Sequence, residues 1–198
     1  PGDSGPSCSS YTFDPEDPTP YAHDDVDGER IPFDQAEIHA ERNDLLLFES
    51  EVFESPVALV GEVKVWLHAA ADAPDFDLCV KLLDLYPDGR AIYLSDGVLR
   101  ARFRRDYSHP ELVVPGAIEE YAIDLWHLGH LVRKGHRLGV EVASAAFQRF
   151  DVNPCTGGTL ATETATRKAR VSVYHGREHP SRITLPLCVD ERLAGEES

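Results

Sequence analysis

In the stretch "LVGEVKVWLHAA", Val63, Val65 and Leu67 alternate with Glu62, Lys64, Trp66 and His68. A half-buried strand requires a period of two, because successive side chains leave opposite faces of the backbone. Further strand-like runs follow in "DLLLFES", "DFDLCVKLLDLY", "AIYLSDGVLRARFRR", "EEYAIDLW", "HRLGVEVAS", "ARVSVYH" and "SRITLPL". Pro87-Asp88-Gly89 and Asp96-Gly97 read as hairpin turns between such runs. No segment sustains an apolar period of 3.6, and only "DQAEIHAERN" and "LWHLGHLV" offer short helices. About eight or nine strands with polar turns between them, and no internal repeat, predict an all-β sandwich or barrel.

A chain of 198 residues with 42% hydrophobic and 27% charged residues is read as one soluble globular domain covering 1–198. The formal charge of −16 argues against nucleic acid and anionic membrane as partners, since phosphate binding needs a basic surface. No apolar run reaches the roughly 20 residues that span a bilayer. With no basic-then-apolar leader visible, the expected location is the bacterial cytoplasm rather than outside the cell. Cys8, Cys79, Cys155 and Cys188 form no C-x-x-C pair, and Cys79 lies inside an apolar run, so all four are expected to be unpaired. A chain with no methionine that begins Pro-Gly in a loop-like stretch reads as a processed product or an excised domain.

Residues 1–36 are rich in Pro, Gly, Ser and Asp, and the Asp14-Pro15 and Asp17-Pro18 steps disfavour helix. Because Tyr11, Phe13, Tyr21 and Phe33 recur through it, the stretch is expected to be an extended lead-in arm tied down on the rest of the fold. Its opening "GDSGPS" is close to the string around a trypsin-like nucleophile. That reading fails, because the histidine and aspartate would have to precede Ser4 and only three residues do. No serine has the flanking glycines of a G-x-S-x-G elbow either. His127 and His130, three apart, could share a helical face as metal ligands, but no third ligand sits nearby at a fixed spacing. His136 follows a glycine and opens a strand, where its ring could bond loop backbone. Asp72, Asp75 and Asp77 cluster as calcium ligands do, yet EF-hand spacing is absent and loop capping is the favoured role. Trp66, Tyr93, Phe103 and Trp126 could make a stacking platform for sugar or base, although aromatics at strand spacing usually fill a core.

The blocks "FDPEDPTPY", "DQAEIHAERNDLLLFES", "PDGRAIYLSDGVLRARFR", "GHRLGVEVAS" and "FDVNP" come in an order that resembles the C-terminal domain of the cocaine esterase and X-prolyl dipeptidyl peptidase (CocE/NonD) family of serine hydrolases. The resemblance runs from about Tyr11 to Leu187. It implies a jelly-roll β-sandwich of the galactose-binding-domain-like kind, with no catalytic residue and no cofactor or metal. It further implies packing on an α/β-hydrolase catalytic domain that carries the Ser–Asp–His triad. In the family the loop ahead of the "DQ" step lies near the substrate pocket, which points to Tyr21, His23 and Phe33 as pocket-facing residues. Two stretches depart from the family pattern: Tyr21 to Gln35, and "ASAAFQRF". The alternative from another class is a free-standing carbohydrate-binding β-sandwich, which would show exposed Trp or Tyr beside Asp, Asn or Arg in a concave site.

Overall fold

The computed structural model describes residues 7–21, 25–26, 29–30, 34–159 and 161–188. Its strands are β1 (Cys8–Phe13), β2 (Asp25–Val26), β3 (Glu29–Arg30), β4 (Leu45–Glu49), β5 (Val57–Ala71), β6 (Asp77–Leu85), β7 (Ala91–Arg100), β8 (Glu119–Val132), β9 (Arg137–Ala143), β10 (Ala169–Tyr174), β11 (Arg182–Thr184) and β12 (Leu187–Cys188). An α-helix, α1 (Ala36–Glu41), falls where the sequence offered "DQAEIHAERN". The expected all-β sandwich is present. Among the described residues its two sheets hold ten strands, because the arm's own β1 joins the eight expected runs and "SRITLPL" divides into β11 and β12.

The six-stranded sheet is built on β5, whose alternation persists through 15 residues. β8 lies along one edge of β5, from the Val57–Val132 pair to the Ala69–Glu119 pair. The other edge is shared in turn by β10 at 68–71, β11 at 64–66 and β12 at 58–59. β1 pairs outside β10, so the arm is anchored by a complete antiparallel ladder. The second sheet has the order β4-β9-β6-β7, and β2 pairs with β3 as a separate ribbon.

The inward faces meet in one core. Val63, Val65, Leu67, Tyr121 and Ile123 come from the larger sheet, and Leu78, Val80, Leu82 and Val142 from the smaller. Phe76 and Tyr121 pack edge to face with ring centroids 5.5 Å apart. β6 is buried on both faces: its core side carries Leu78, Val80 and Leu82, and its outer side Cys79, Lys81 and Leu83. The outer side lies beneath the segment that begins α1, where Lys81 reaches Gln35 at 2.9 Å.

Two local expectations are corrected. Asp96-Gly97 is no turn, since β7 runs straight through it. The glycine is there because β7 passes so close to β8 that an added Cβ would stand 2.2 Å from the Asp124 carbonyl oxygen. "LWHLGHLV" is not helical but the second half of β8, paired with β5 beyond a register shift between Glu62 and Lys64. Pairing along the central strand overrides a weak helical pattern there.

All four cysteines are free, as expected. Burial pushes the Cys155 thiol up to about 12 and that of Cys79 well above its ordinary value, so both behave as small apolar groups. Cys8 lies across Tyr174 from His68 of β5, and Cys188 lies across from Ala58. Ten residues of strand hold those two exposed thiols roughly 30 Å apart.

The arm is tied down again at the start of β4. Arg42 donates to both oxygens of Asp44, at 2.8 and 2.7 Å, and to Asp17 Oδ1 at 2.9 Å, while Thr19 Oγ1 donates to Asp44 Oδ2 at 2.7 Å. Burial pulls the Asp44 pKa upward, but the hydrogen bonds from Arg42 and Thr19 win and hold it below the usual carboxylate value. A depressed folded-state pKa contributes stability above the unfolded-state value that is lost as pH falls through the folded one. Asp44→Asn is therefore expected to cost about 2 kcal/mol at pH 7, three charged-group hydrogen bonds being weakened. Urea unfolding at successive pH values should show that difference shrinking below about pH 4; a difference independent of pH would rule out this account of Asp44.

Candidate functional site

The two stretches that depart from the family pattern meet in space. Pro20 forms a parallel bridge to Phe147, the Tyr21 amide donates to the Phe147 carbonyl, and the Phe147 amide donates to the Thr19 carbonyl at 3.0 Å. This backbone pairing joins the arm to the connection after β9. A compact set of side chains gathers on it, against the outer face of the smaller sheet.

Tyr21 stands at the centre, half-buried. Its ring meets Tyr93 edge-on with centroids 6.2 Å apart. The Arg149 guanidinium lies 5.0 Å from the ring centroid and also donates to the Tyr21 hydroxyl. Arg149 pairs with Asp96 at 2.9 Å, and the Tyr93 hydroxyl donates to the other Asp96 oxygen at 3.0 Å. Burial first, and then the Asp96 charge, drive the Tyr93 pKa upward, so the phenol stays a donor. Phe147 remains 43% exposed beside these groups. The corner thus presents an aromatic surface backed by a guanidinium whose charge Asp96 already answers.

Behind Tyr21 the buried face of β6 supplies Lys81, with Nζ 5.7 Å from the Tyr21 ring centroid. Lys81 donates to Glu141 Oε1 at 2.8 Å and to Gln35 Oε1 at 2.9 Å, and His39 Nε2 lies 2.7 Å from Glu141 Oε2. Burial raises the Glu141 pKa, but the His39 hydrogen bond and the Lys81 charge together keep it below its usual value. Helix α1, β6, β9 and the arm are thereby fixed to one another beneath the aromatic corner. The signal for this network was present in the sequence. Lys81 and Glu141 both sit at odd positions in runs whose core residues occupy the even ones, so both leave the opposite face of adjacent strands.

Of the three residues named for the pocket-facing loop, Tyr21 is placed in this corner, whereas His23 and Phe33 lie outside the described residues. Ser4 does too. The remaining candidates disperse. In a strand, residues three apart leave opposite faces, so His127 is exposed alone while His130 bonds Asp84 at 2.8 Å. His136 bonds the other Asp84 oxygen at 2.8 Å, a carboxylate rather than the loop backbone. Asp72 caps the Arg170 amide at 2.9 Å. Asp75 and Asp77, expected at a solvated loop, are buried instead. Arg102 answers Asp75 at 2.7 Å, Arg100 answers Asp77 at 2.8 Å, and Asn153 bridges both carboxylates. Among the described residues no group of three His, Cys, Asp or Glu is placed to hold a metal ion.

The four aromatics weighed as a platform do not share a surface. Arg182 covers Trp66 at 4.7 Å, Phe103 stacks on Tyr107 at 5.9 Å, Tyr93 belongs to the Tyr21 corner, and Trp126 stands exposed on β8. They are not core residues either, since Tyr11, Phe13, Phe76 and Tyr121 fill that role. Among the described residues, Ser7 and Ser9 sit on the two nitrogens of His175 at 3.2 and 3.1 Å, and this cluster spends both ring nitrogens on hydroxyls. That leaves neither nitrogen to be oriented by a carboxylate, as a nucleophile's base must be.

Residues 2–184 match the family described as the X-Pro dipeptidyl-peptidase C-terminal non-catalytic domain. Cocaine esterase from Rhodococcus sp. (strain MB1 Bresler) is 38% identical over 186 residues, covering 91% of this chain and 32% of that protein. Among solved structures, an aminopeptidase from a marine sediment Thaumarchaeota archaeon superposes with a TM-score of 0.84 at 29% identity, over 93% of this chain and 34% of that one. An alpha-amino acid ester hydrolase superposes with a TM-score of 0.85 at 29% identity, over 95% of this chain and 34% of that one. The chain therefore spans about a third of the length of these three relatives.

Proposed function

Since this chain belongs to the X-Pro dipeptidyl-peptidase C-terminal non-catalytic domain family, we propose that it serves as the accessory β-sandwich of a serine hydrolase, packed on an α/β-hydrolase domain and helping to wall its substrate pocket. The parent reaction is then ester or X-prolyl peptide hydrolysis through a serine acyl-enzyme, with the triad in the partner domain. The observation that carries this reading is the Tyr21–Phe147 corner. It is aromatic, partly exposed, internally neutralised, and locked to the sandwich by backbone pairing and the Lys81–Glu141 network. A wall of this kind supplies shape rather than chemistry, and Tyr21, His23 and Phe33 are the side chains that would face the substrate.

The test uses the full-length parent hydrolase. Removing this domain is expected to lower kcat/KM on a p-nitrophenyl ester about 100-fold, as loss of substrate positioning does. Phe147→Glu in the intact protein should raise KM more than it lowers kcat. If the truncated hydrolase keeps full activity and the separate chain does not associate with it, the proposed role is wrong.

A further inference from the structure

The sandwich is closed along one side and open along the other. On the closed side β7 and β8 approach so tightly that no Cβ could fit at Gly97 beside the Asp124 carbonyl. On the open side β1 ends where Cys8 pairs with Tyr174, and β11 is the last strand of its sheet. Between the sheets at this edge lies a cavity of about 170 Å³. Phe48 and Val140 form its floor from the smaller sheet, and Val65, Leu67, Val173 and Ile183 its roof from the larger. Three polar residues rim it, and each has a partner outside the pocket. His175 bonds Ser7 and Ser9 through its two ring nitrogens. Ser181 donates to the Tyr174 carbonyl at 2.6 Å and accepts from the His68 amide at 2.9 Å. Arg182 reaches Glu120 and stacks on Trp66.

Water needs two to four polar partners to occupy a cavity, and this lining offers six hydrocarbon side chains instead. The pocket is half open to solvent, and an apolar space of about 150 Å³ is enough to accept a single aromatic ring. We propose that this intersheet cavity is a binding site for a small uncharged ring compound of about the size of toluene. The rim admits it between Phe48 and the Tyr174–Ser181 connection, where Phe48 and His175 stand edge to face with centroids 6.0 Å apart. The site shares no residue with the Tyr21 corner.

The probe is toluene, titrated into the 198-residue chain carrying methyl labels on Val, Leu and Ile. Saturable shifts are expected at Val65, Leu67, Val140, Val173 and Ile183, together with a rise in thermal midpoint. Galactose at equal concentration should move none of these signals. Val140→Phe, which fills the floor, is expected to weaken toluene binding about tenfold or more while raising the thermal midpoint of the free chain; if that variant does not fold, Ile183→Phe fills the cavity from the opposite sheet. Absence of saturable shifts in the unaltered chain, shifts that persist in the filled variant, or equal shifts with galactose would each overturn the site.

Discussion

Replacing Glu141 by leucine is expected to destabilise the chain by about 3–5 kcal/mol, because it leaves the Lys81 ammonium buried without its counter-charge. Both side chains are almost wholly enclosed, at 2% and 1% exposure, so water cannot take over from the lost partner. Gln35 still accepts from Lys81, but a neutral amide does not answer a charge. The companion expectation is sharper. Lys81→Met alone should cost a similar amount, whereas the double variant Lys81→Met/Glu141→Leu should recover most of the loss, since two well-packed apolar groups often replace a buried ion pair at little net cost. Urea midpoints at constant slope read all three variants. If the double variant loses the sum of the two single losses, the pair is not coupled as its 2.8 Å contact requires.

The second large effect is expected at Gly97. Gly97→Ala places a methyl 2.2 Å from the Asp124 carbonyl oxygen and 2.9 Å from Ile123 Cγ2, both fixed in β8. Backbone cannot move aside as a flexible side chain can, so β7 and β8 must part, at a cost of about 3 kcal/mol or more. Gly129, also on β8, has nothing within 4 Å of a built Cβ. Gly129→Ala is therefore expected to be neutral or to stabilise by less than about 1 kcal/mol, through loss of unfolded-chain freedom. Thermal midpoints of the two variants measured side by side separate close approach from a general intolerance of β-carbons in these strands. A Gly97→Ala protein within experimental error of the parent would mean that the two strands do not close the sandwich there.

What the sequence made legible, and what it concealed, follow from the range of the interactions. The alternation of Val63, Val65 and Leu67 is local, and it placed β5 and the sandwich correctly. Pro87-Asp88-Gly89 is equally local: Gly89 takes φ +95° in the turn between β6 and β7. Asp96-Gly97 misled because the same dipeptide serves a different need, where contact with a strand distant in sequence excludes a side chain. "LWHLGHLV" misled because pairing with β5 decides its conformation and no local pattern records that pairing. The Tyr21 corner was half visible. The resemblance singled out Tyr21, but nothing in the spacing announced that the arm would pair with Phe147 more than a hundred residues later. Asp75 and Asp77 read as solvated because their neutralising arginines, Arg102 and Arg100, lie on another segment.

The outermost strand has a consequence for how the chain is made. β1 leaves the ribosome first among the sheet strands, yet its partner β10 follows some 160 residues later, with Tyr11 opposite Val171. At elongation rates of about 5–20 residues per second that interval lasts roughly 8–30 s. Tyr11 and Phe13, both buried in the finished protein, stay without their native neighbours throughout it. This ribbon thus waits unpartnered while the rest of the sandwich is made, and the yield of the fold in the cell should depend on chaperones that shelter emerging strands.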